Sequence, residues 1–253
     1  MGSAIVKKIV PVVLVIMAMV TSSWRFNEPA NLATSENDFK DITGWHWGRG
    51  YALGGASSAY ELMYDSLGLD LKGLSEQAFV DAMEGFDELK KEGLLKNDSI
   101  ITVIDFDQPS INKRLYVVDL KHYQVLFNTW AAHGRNSGSL MATSFSNALS
   151  SNKSSLGFYL TDAPYYGGNG YSLKLKGLES GVNDRAMARA IVLHGADYVS
   201  QSSIDELGYL GRSFGCPAVP RALCRSIIDV IKEGSVLFIY NSAYHLATRY
   251  TLG

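Results

Sequence analysis

An α+β fold, mostly a sandwich or barrel sheet with a helical pair ahead of it and one helix late in the chain, is what this sequence predicts. Three observations predict it. Short β-branched and apolar runs, punctuated by Gly, Asn and Ser, recur from Ser99 onward, the pattern of a sheet with tight connections. Between Ser57 and Gly93 the apolar residues fall instead at helical spacing,. A third helical stripe follows a cysteine set between Gly215 and Pro217.

The bulk properties permit such a body and exclude some partners. The 253 residues are 47% hydrophobic and 19% charged, with a net charge of −2, which suits a packed domain with a smaller appendage. No basic block or acidic tail is present, so binding to nucleic acid or an anionic surface through a general electrostatic footprint is disfavoured.

In chain order, Lys7 and Lys8 precede an apolar run from Ile9 to Val20, followed by Thr21, Ser22 and Ser23. That order reads as an export leader over residues 1–23; the run is too short for a spanning helix, which needs about 20 residues. Residues 24–97 read as an N-terminal arm and helical segment. Its Trp45-His46-Trp47 cluster suits an extended arm laid over the domain. In the first helix, capped by Ser57 or Ser58, one face carries Ala59, Leu62, Met63 and Leu67, and Gly68 closes it,. In the second, Ser75 caps a stripe of Ala78, Ala82, Phe86 and Leu89, and Gly93 ends it,.

Residues 98–253 read as one sheet-rich domain. Its strands are expected at Ser99–Phe106, Leu115–Leu120, Tyr123–Ala132, Gly157–Leu160, Ser172–Leu175, Ala190–Leu193 and Val236–Tyr240. A helix over Arg221–Lys232 presents Leu223, Ile227, Ile228 and Ile231 on one face, and Gly234 stops it,.

The chemistry-bearing residues lie in two of the glycine-marked turns. Gly215 allows close backbone approach and Pro217 fixes the chain just after Cys216. A thiol there, leading toward a helix N-terminus, is a candidate nucleophile with a thiolate favoured by the dipole. His194 ends the run Ile191-Val192-Leu193 and precedes Gly195, so it is the candidate general base. Cys224, eight residues beyond Cys216 and beside Leu223 and Ile227, reads as core, with a disulfide to Cys216 as the alternative. His133 precedes Gly134 in the same manner and is expected to contact substrate or support a loop. With Cys216 the two histidines would give His₂Cys, but no H-x-x-x-H or C-x-x-C spacing accompanies them, so neither metal nor cofactor is expected. Tyr166, in the glycine-rich segment Tyr165–Tyr171, is placed on a lid over substrate.

At these residues the chain resembles the murein L,D-transpeptidase (YkuD-type) catalytic-domain family, in the exported branch whose cysteine motif reads S-x-G-C-P. Carrying the resemblance are Ala132-His133-Gly134-Arg135-Asn136-Ser137-Gly138, the segment Ser151–Tyr159, Ile191-Val192-Leu193-His194-Gly195-Ala196 and Arg212–Pro217. It implies a mostly β catalytic fold and acyl transfer through a thioester on Cys216. His194 would be base and acid, oriented by a backbone carbonyl near Ser213 or Gly215. The N–H groups of Gly215 and Cys216 would hold the oxyanion, and Ser213 completes the motif. Substrate contacts are expected from His133, Arg212, Gly195 and Tyr166. The implied partner is the peptidoglycan stem peptide, with no nucleic acid and no membrane span after leader removal, and the implied location is the periplasm or cell envelope. Two positions depart from the commoner family pattern. Phe214 stands where it has histidine, and Ala218 where it has arginine, leaving Arg212, Arg221 or Arg225 to supply the charge. An L,D-carboxypeptidase or endopeptidase, and a non-catalytic wall-binding protein, are the alternative readings.

Overall fold

The computed structural model describes residues 56–244; the expected leader and the Trp45-His46-Trp47 cluster lie outside them. Helices α1 (Ala56–Ser66) and α2 (Glu76–Lys91) come first. As expected, Ser75 caps α2, its Oγ accepting from the Ala78 N–H at 3.1 Å. The face that α1 buries differs from the expected one: Tyr60, Tyr64 and Leu67 are in the core, and Leu62 is 70% exposed. The aromatic rings bury more apolar area than a leucine at that edge, and the Tyr64 hydroxyl meets its need by donating to the Leu74 carbonyl at 2.6 Å,.

The sheet follows: β1 (Ile100–Asp105), β2 (Leu115–Asp119), β3 (Gln124–Thr129), the hairpin β4 (Gly157–Gly167) and β5 (Gly170–Gly177), and β6 (Val192–Ala196). Helix α3 (Gln201–Leu207), the three-residue strand β7 (Ala218–Pro220), helix α4 (Arg221–Ile231) and β8 (Val236–Tyr240) complete it. Neither α3 nor β7 was expected, and the β4–β5 hairpin is longer than the two runs predicted.

The eight strands run in the order β3-β2-β1-β8-β4-β5-β6-β7, with only β1–β8 and β6–β7 parallel. The two edges nearly meet. Beyond β3 the chain leaves β2, and Ala132 bridges Ala218 of β7, its N–H donating to the Ala218 carbonyl at 2.8 Å. This near-closure gives the sheet its barrel character and brings the His133 segment against the Cys216 loop.

One core joins α1, α2, α4 and most of the sheet. Tyr60, Phe79 and Phe86 share it with Ile101, Val103, Phe158 and Phe238, and the last two rings stack at 4.1 Å. On α4 the buried residues are Cys224, Ile227, Ile228 and Ile231, a one-sided i, i+3, i+4, i+7 stripe; Leu223 sits at its rim. Gly195 of β6 lets this helix come close. A Cβ there would lie 2.9 Å from the Cys224 Cβ and 3.0 Å from the Arg221 Cα.

Candidate active site

The Cys216 turn is held from three sides. Ser213 Oγ donates to the Cys216 carbonyl at 2.6 Å and accepts from the Gly215 N–H at 3.0 Å, a side chain closing its own tight turn. Outside the turn, the Ser213 N–H donates to the His133 carbonyl at 3.0 Å and its carbonyl accepts from the Arg135 N–H at 2.8 Å. Beneath it, Ser154 Oγ donates to the Gly215 carbonyl at 3.1 Å. Gly215 has φ +126°, and a Cβ there would press on the Lys153 carbonyl at 2.8 Å. No other residue type fits that backbone.

Strand β6 supplies the opposite wall. His194 pairs with Ala218 in the parallel β6–β7 register. Two residues earlier on both segments, the Val192 N–H donates to Cys216 Sγ at 3.5 Å, and Sγ lies 3.7 Å from the Ala190 carbonyl. His194 and Val192, whose N–H meets the thiol, are therefore two positions apart on β6. Among the described residues no hydrogen bond joins the imidazole to the thiol. Contacts of this kind commonly tighten only when substrate enters.

The electrostatics favour a neutral pair at rest. Burial pushes the Cys216 thiol above its ordinary value, with the Val192 N–H and the Arg189 charge pulling the other way. Burial pushes His194 below its ordinary value, opposed by the Gly195 carbonyl. The expectation of a helix-stabilised thiolate is overturned. Strand β7 intervenes before α4 begins at Arg221, so Cys216 does not sit at the helix N-terminus.

Two further details correct the expected geometry. The carbonyl that meets His194 Nδ1 is that of Gly195, at 3.2 Å, rather than one near Ser213 or Gly215. A carbonyl can only accept, so Nδ1 carries the proton and Nε2 keeps the lone pair. The Gly215 N–H is already committed to Ser213 Oγ. The Cys216 N–H meets no acceptor other than its own thiol among the described residues, so it is the donor left for an oxyanion.

The remaining expected residues separate. His133 is 0% exposed and its Nδ1 accepts from Arg114 Nη2 at 2.8 Å. Burial and the Arg114 charge push it down to about 4. It supports the loop from below and presents no surface to a substrate. Gly195 is where α4 comes closest to β6. Arg212 rims the turn, with Nη1 donating to the carbonyls of Arg135 and Gly138 at 3.3 and 3.0 Å. Phe214, at the motif's variant position, is 67% exposed with the Arg135 guanidinium 4.5 Å over its ring. Tyr166 is exposed near the end of the β4–β5 hairpin, packed on Tyr171 and bonded to Arg225. Arg221 pairs with Asp197 at 2.5 Å. Neither Arg221 nor Arg225 turns its charge on the thiol.

The arginine that does was not singled out from the sequence. Arg189 stands in the turn-rich stretch before β6. Its guanidinium donates to the Ser146 carbonyl at 2.8 Å, Ser155 Oγ at 2.5 Å, Ser151 Oγ at 3.3 Å and the Lys153 carbonyl at 2.5 Å. The one signal available was its place five residues ahead of His194, close after Asp184 and Arg185.

Among the described residues no group of three His, Cys, Asp or Glu side chains is placed to hold a metal. Cys216 and Cys224 are both free, and Cys224 is buried in α4 as expected. No helix among them is long and apolar enough to cross a membrane.

Comparison with known proteins places this arrangement in context. The family model of the L,D-transpeptidase catalytic domain matches residues 70–240. No curated protein sequence matches the chain. Solved structures similar to it include an L,D-transpeptidase from Mycobacterium smegmatis, at 13% identity and TM-score 0.35, covering 56% of this chain and 59% of that one. An L,D-transpeptidase from Mycobacterium tuberculosis H37Rv is 12% identical, with TM-score 0.37 and coverages of 56% and 58%. The helical cell shape determining protein Pgp2 from Campylobacter jejuni is 13% identical, with TM-score 0.39 and coverages of 63% and 54%. The chain thus spans less than two thirds of the length of these proteins.

Proposed function

The chain belongs to the L,D-transpeptidase catalytic-domain family, and from that premise we propose that it is an exported cysteine acyl-transferase acting on peptidoglycan stem peptides. The observation that carries this reading is the Ser213–Cys216 turn clamped beside β6, where Val192, whose N–H meets the thiol, stands two positions from His194 with its Nε2 lone pair free. Nothing else among the described residues combines a free thiol, an oriented imidazole and an uncommitted backbone N–H.

In the reaction, His194 Nε2 takes the Cys216 proton as Sγ attacks a stem-peptide carbonyl. The C–O double bond opens to an oxyanion, which the Cys216 N–H holds. Collapse breaks the C–N bond, the proton passes from His194 to the departing amine, and a thioester remains. An acceptor amine then gives up a proton to His194, attacks the thioester and restores the thiol. Water at that step would instead give hydrolysis. Because the resting thiol and imidazole are both neutral, proton transfer belongs to the attack itself.

Muropeptide mass spectrometry tests this with wild-type protein and Cys216→Ala, with and without an acceptor amine. New crosslinks that need both Cys216 and the amine are expected. Trimmed stems formed without the amine would point to the hydrolase. Identical profiles for the two proteins would leave only wall binding.

A further inference from the structure

The loop that floors the nucleophile and the strand that flanks it are tied by one side chain. Arg189 donates to four oxygens, all between residues 146 and 155. That same segment supports the turn. Ser154 holds the Gly215 carbonyl, and the Lys153 carbonyl lies 2.8 Å from where a Gly215 Cβ would be. The guanidinium itself is close, with Nη2 3.1 Å from that Cβ position. On the other side, the next residue in the chain is Ala190, whose carbonyl faces Sγ at 3.7 Å. Arg189 is half-buried and all four of its acceptors are neutral. Among the described residues no carboxylate pairs with it, so its charge is not spent on an anion of the protein.

We propose that Arg189 is a positioning residue for Cys216, fixing the 146–155 loop beneath the nucleophilic turn and presenting a permanent positive charge to the sulfur as it becomes anionic. A buried thiolate is costly unless a cation or donors compensate it. Here the Val192 N–H donates to the sulfur and the Arg189 charge, beside Gly215, favours the thiolate. The other titratable groups around the sulfur do not compete for the role. Tyr159 and Tyr198 are pushed up by burial, Tyr198 to about 12, and His194 is pushed down. All three are neutral at pH 7. Arginine suits the task because its planar fork makes several bonds at once and keeps its charge when partly buried.

The inference rests on Cys216 being the nucleophile, but its test needs no peptidoglycan. Iodoacetamide alkylation of the full chain is followed against pH, with the adduct located on Cys216 by peptide mapping, and thermal melting is recorded in parallel. Arg189→Met is expected to move the alkylation midpoint up by about one pH unit, roughly a tenfold slower reaction at pH 7. Arg189→Lys keeps the charge but not the fork, so it is expected to melt earlier while its midpoint stays close to wild type. Ser155→Ala, which removes one acceptor only, is expected to lower stability without moving the midpoint. A wild-type profile in Arg189→Met would overturn the proposal. So would equal shifts in the Met and Lys variants, since charge would then not be the agent. Failure of both variants to fold would assign Arg189 to structure alone and overturn it too. A Cys216 that fails to act on stem peptides yet shows the expected shifts would sink the enzymatic reading and leave this one standing.

Discussion

His133-Gly134 and His194-Gly195 are the same dipeptide, each at the end of an apolar run, and the fold puts them to opposite uses. Arg114 can only donate, so His133 Nδ1 must hold a lone pair and its proton sits on Nε2, enclosed on the side of the Gly138 backbone,. The Gly195 carbonyl can only accept, so His194 has the other tautomer and a free Nε2 lone pair. The partner of Nδ1 therefore decides which histidine can take a proton. The glycines, by contrast, are alike in having no space for a Cβ. At Gly134 the obstacles are the Asn152 carbonyl at 2.6 Å, the Ser154 nitrogen at 2.9 Å and the Gly215 Cα at 3.0 Å; at Gly195 they belong to α4. One glycine seats the Cys216 loop, and the other seats a helix.

The sharpest way to break this comparison is to remove each imidazole in turn. His194→Ala is expected to lower acyl-transfer kcat/KM by about 10²–10⁴-fold, the usual worth of a positioned general base, with little change in melting temperature. His133→Ala is expected to do the reverse. It leaves a cavity and an unpaired Arg114 donor, costing about 3 kcal/mol, while activity per folded molecule stays within a few-fold. Equal losses of activity in the two variants would mean that the tautomer argument does not separate them.

The acid limb of stability sharpens the same contrast. The folded protein holds His133 at about 4 against an ordinary 6.5. The unfolded chain therefore binds the extra proton first as pH falls. Stability is full above 6.5 and declines toward pH 4, by up to about 3 kcal/mol from this group; His194, shifted the same way, adds to that decline. Glu179 has the opposite sign. Burial raises it from 4.5 to about 7, so its contribution is present below 4.5 and lost as pH rises to 7. The two slopes oppose each other between about 4.5 and 6.5, so urea unfolding from pH 4 to 8 is expected to show a broad plateau there with a decline on each side,. His133→Ala should flatten the acid side, and Glu179→Gln the neutral side, because the amide keeps an acceptor for the Phe158 N–H and a donor for the Tyr244 hydroxyl. An unchanged profile in both variants would show that neither group sets it.

Gly195→Ala and Gly134→Ala test the second half of the comparison. Each is expected to cost about 1–3 kcal/mol in overpacking. Only Gly134→Ala pushes on Gly215, so only it is expected to slow Cys216 alkylation. Slowing in Gly195→Ala alone would reverse the assignment of the two glycines.

How far the sequence disclosed this arrangement depended on what each element buries. Helices α2 and α4 and strands β1, β2 and β8 were legible because their apolar residues recur at a fixed period. Helix α3 was not, because none of its residues is buried and a helix without an apolar stripe leaves no periodic trace; only Ser200 and Gly208 marked its ends. Strand β7 is three residues long and ends in proline, so the ladder to β6 defines it, not its own pattern. In the site, the spacing of glycine and proline around Cys216 was readable, and so was His194 at the end of its run. Which N–H remains uncommitted, which carbonyl orients the imidazole and which arginine faces the sulfur are all facts of chain closure. Arg189 and Lys153 meet only because the turn-rich stretch before β6 folds back on the loop after Ala132.

Ala190 carries the smallest of the expected effects, and it lies at the junction between that stretch and the thiol. The Ile191 N–H donates to the Ala186 carbonyl at 2.9 Å and the Ala190 N–H to the Met187 carbonyl at 3.0 Å, the paired bonds of a Schellman closure. Such a closure needs a left-handed residue at its end, and Ala190 has φ +54°. Glycine is the usual occupant, because alanine there costs about 1–2 kcal/mol. Ala190→Gly removes that strain, and the greater freedom of glycine in the unfolded chain offsets part of the gain. The expected net is about 0.5–1 kcal/mol of added stability, a rise of about 2 °C in melting temperature. The Ala190 carbonyl that faces Sγ stays in place, so the alkylation profile of Cys216 should not move. A faster or slower Cys216 with an unchanged melting temperature would show that the strained turn acts on the thiol rather than on the fold.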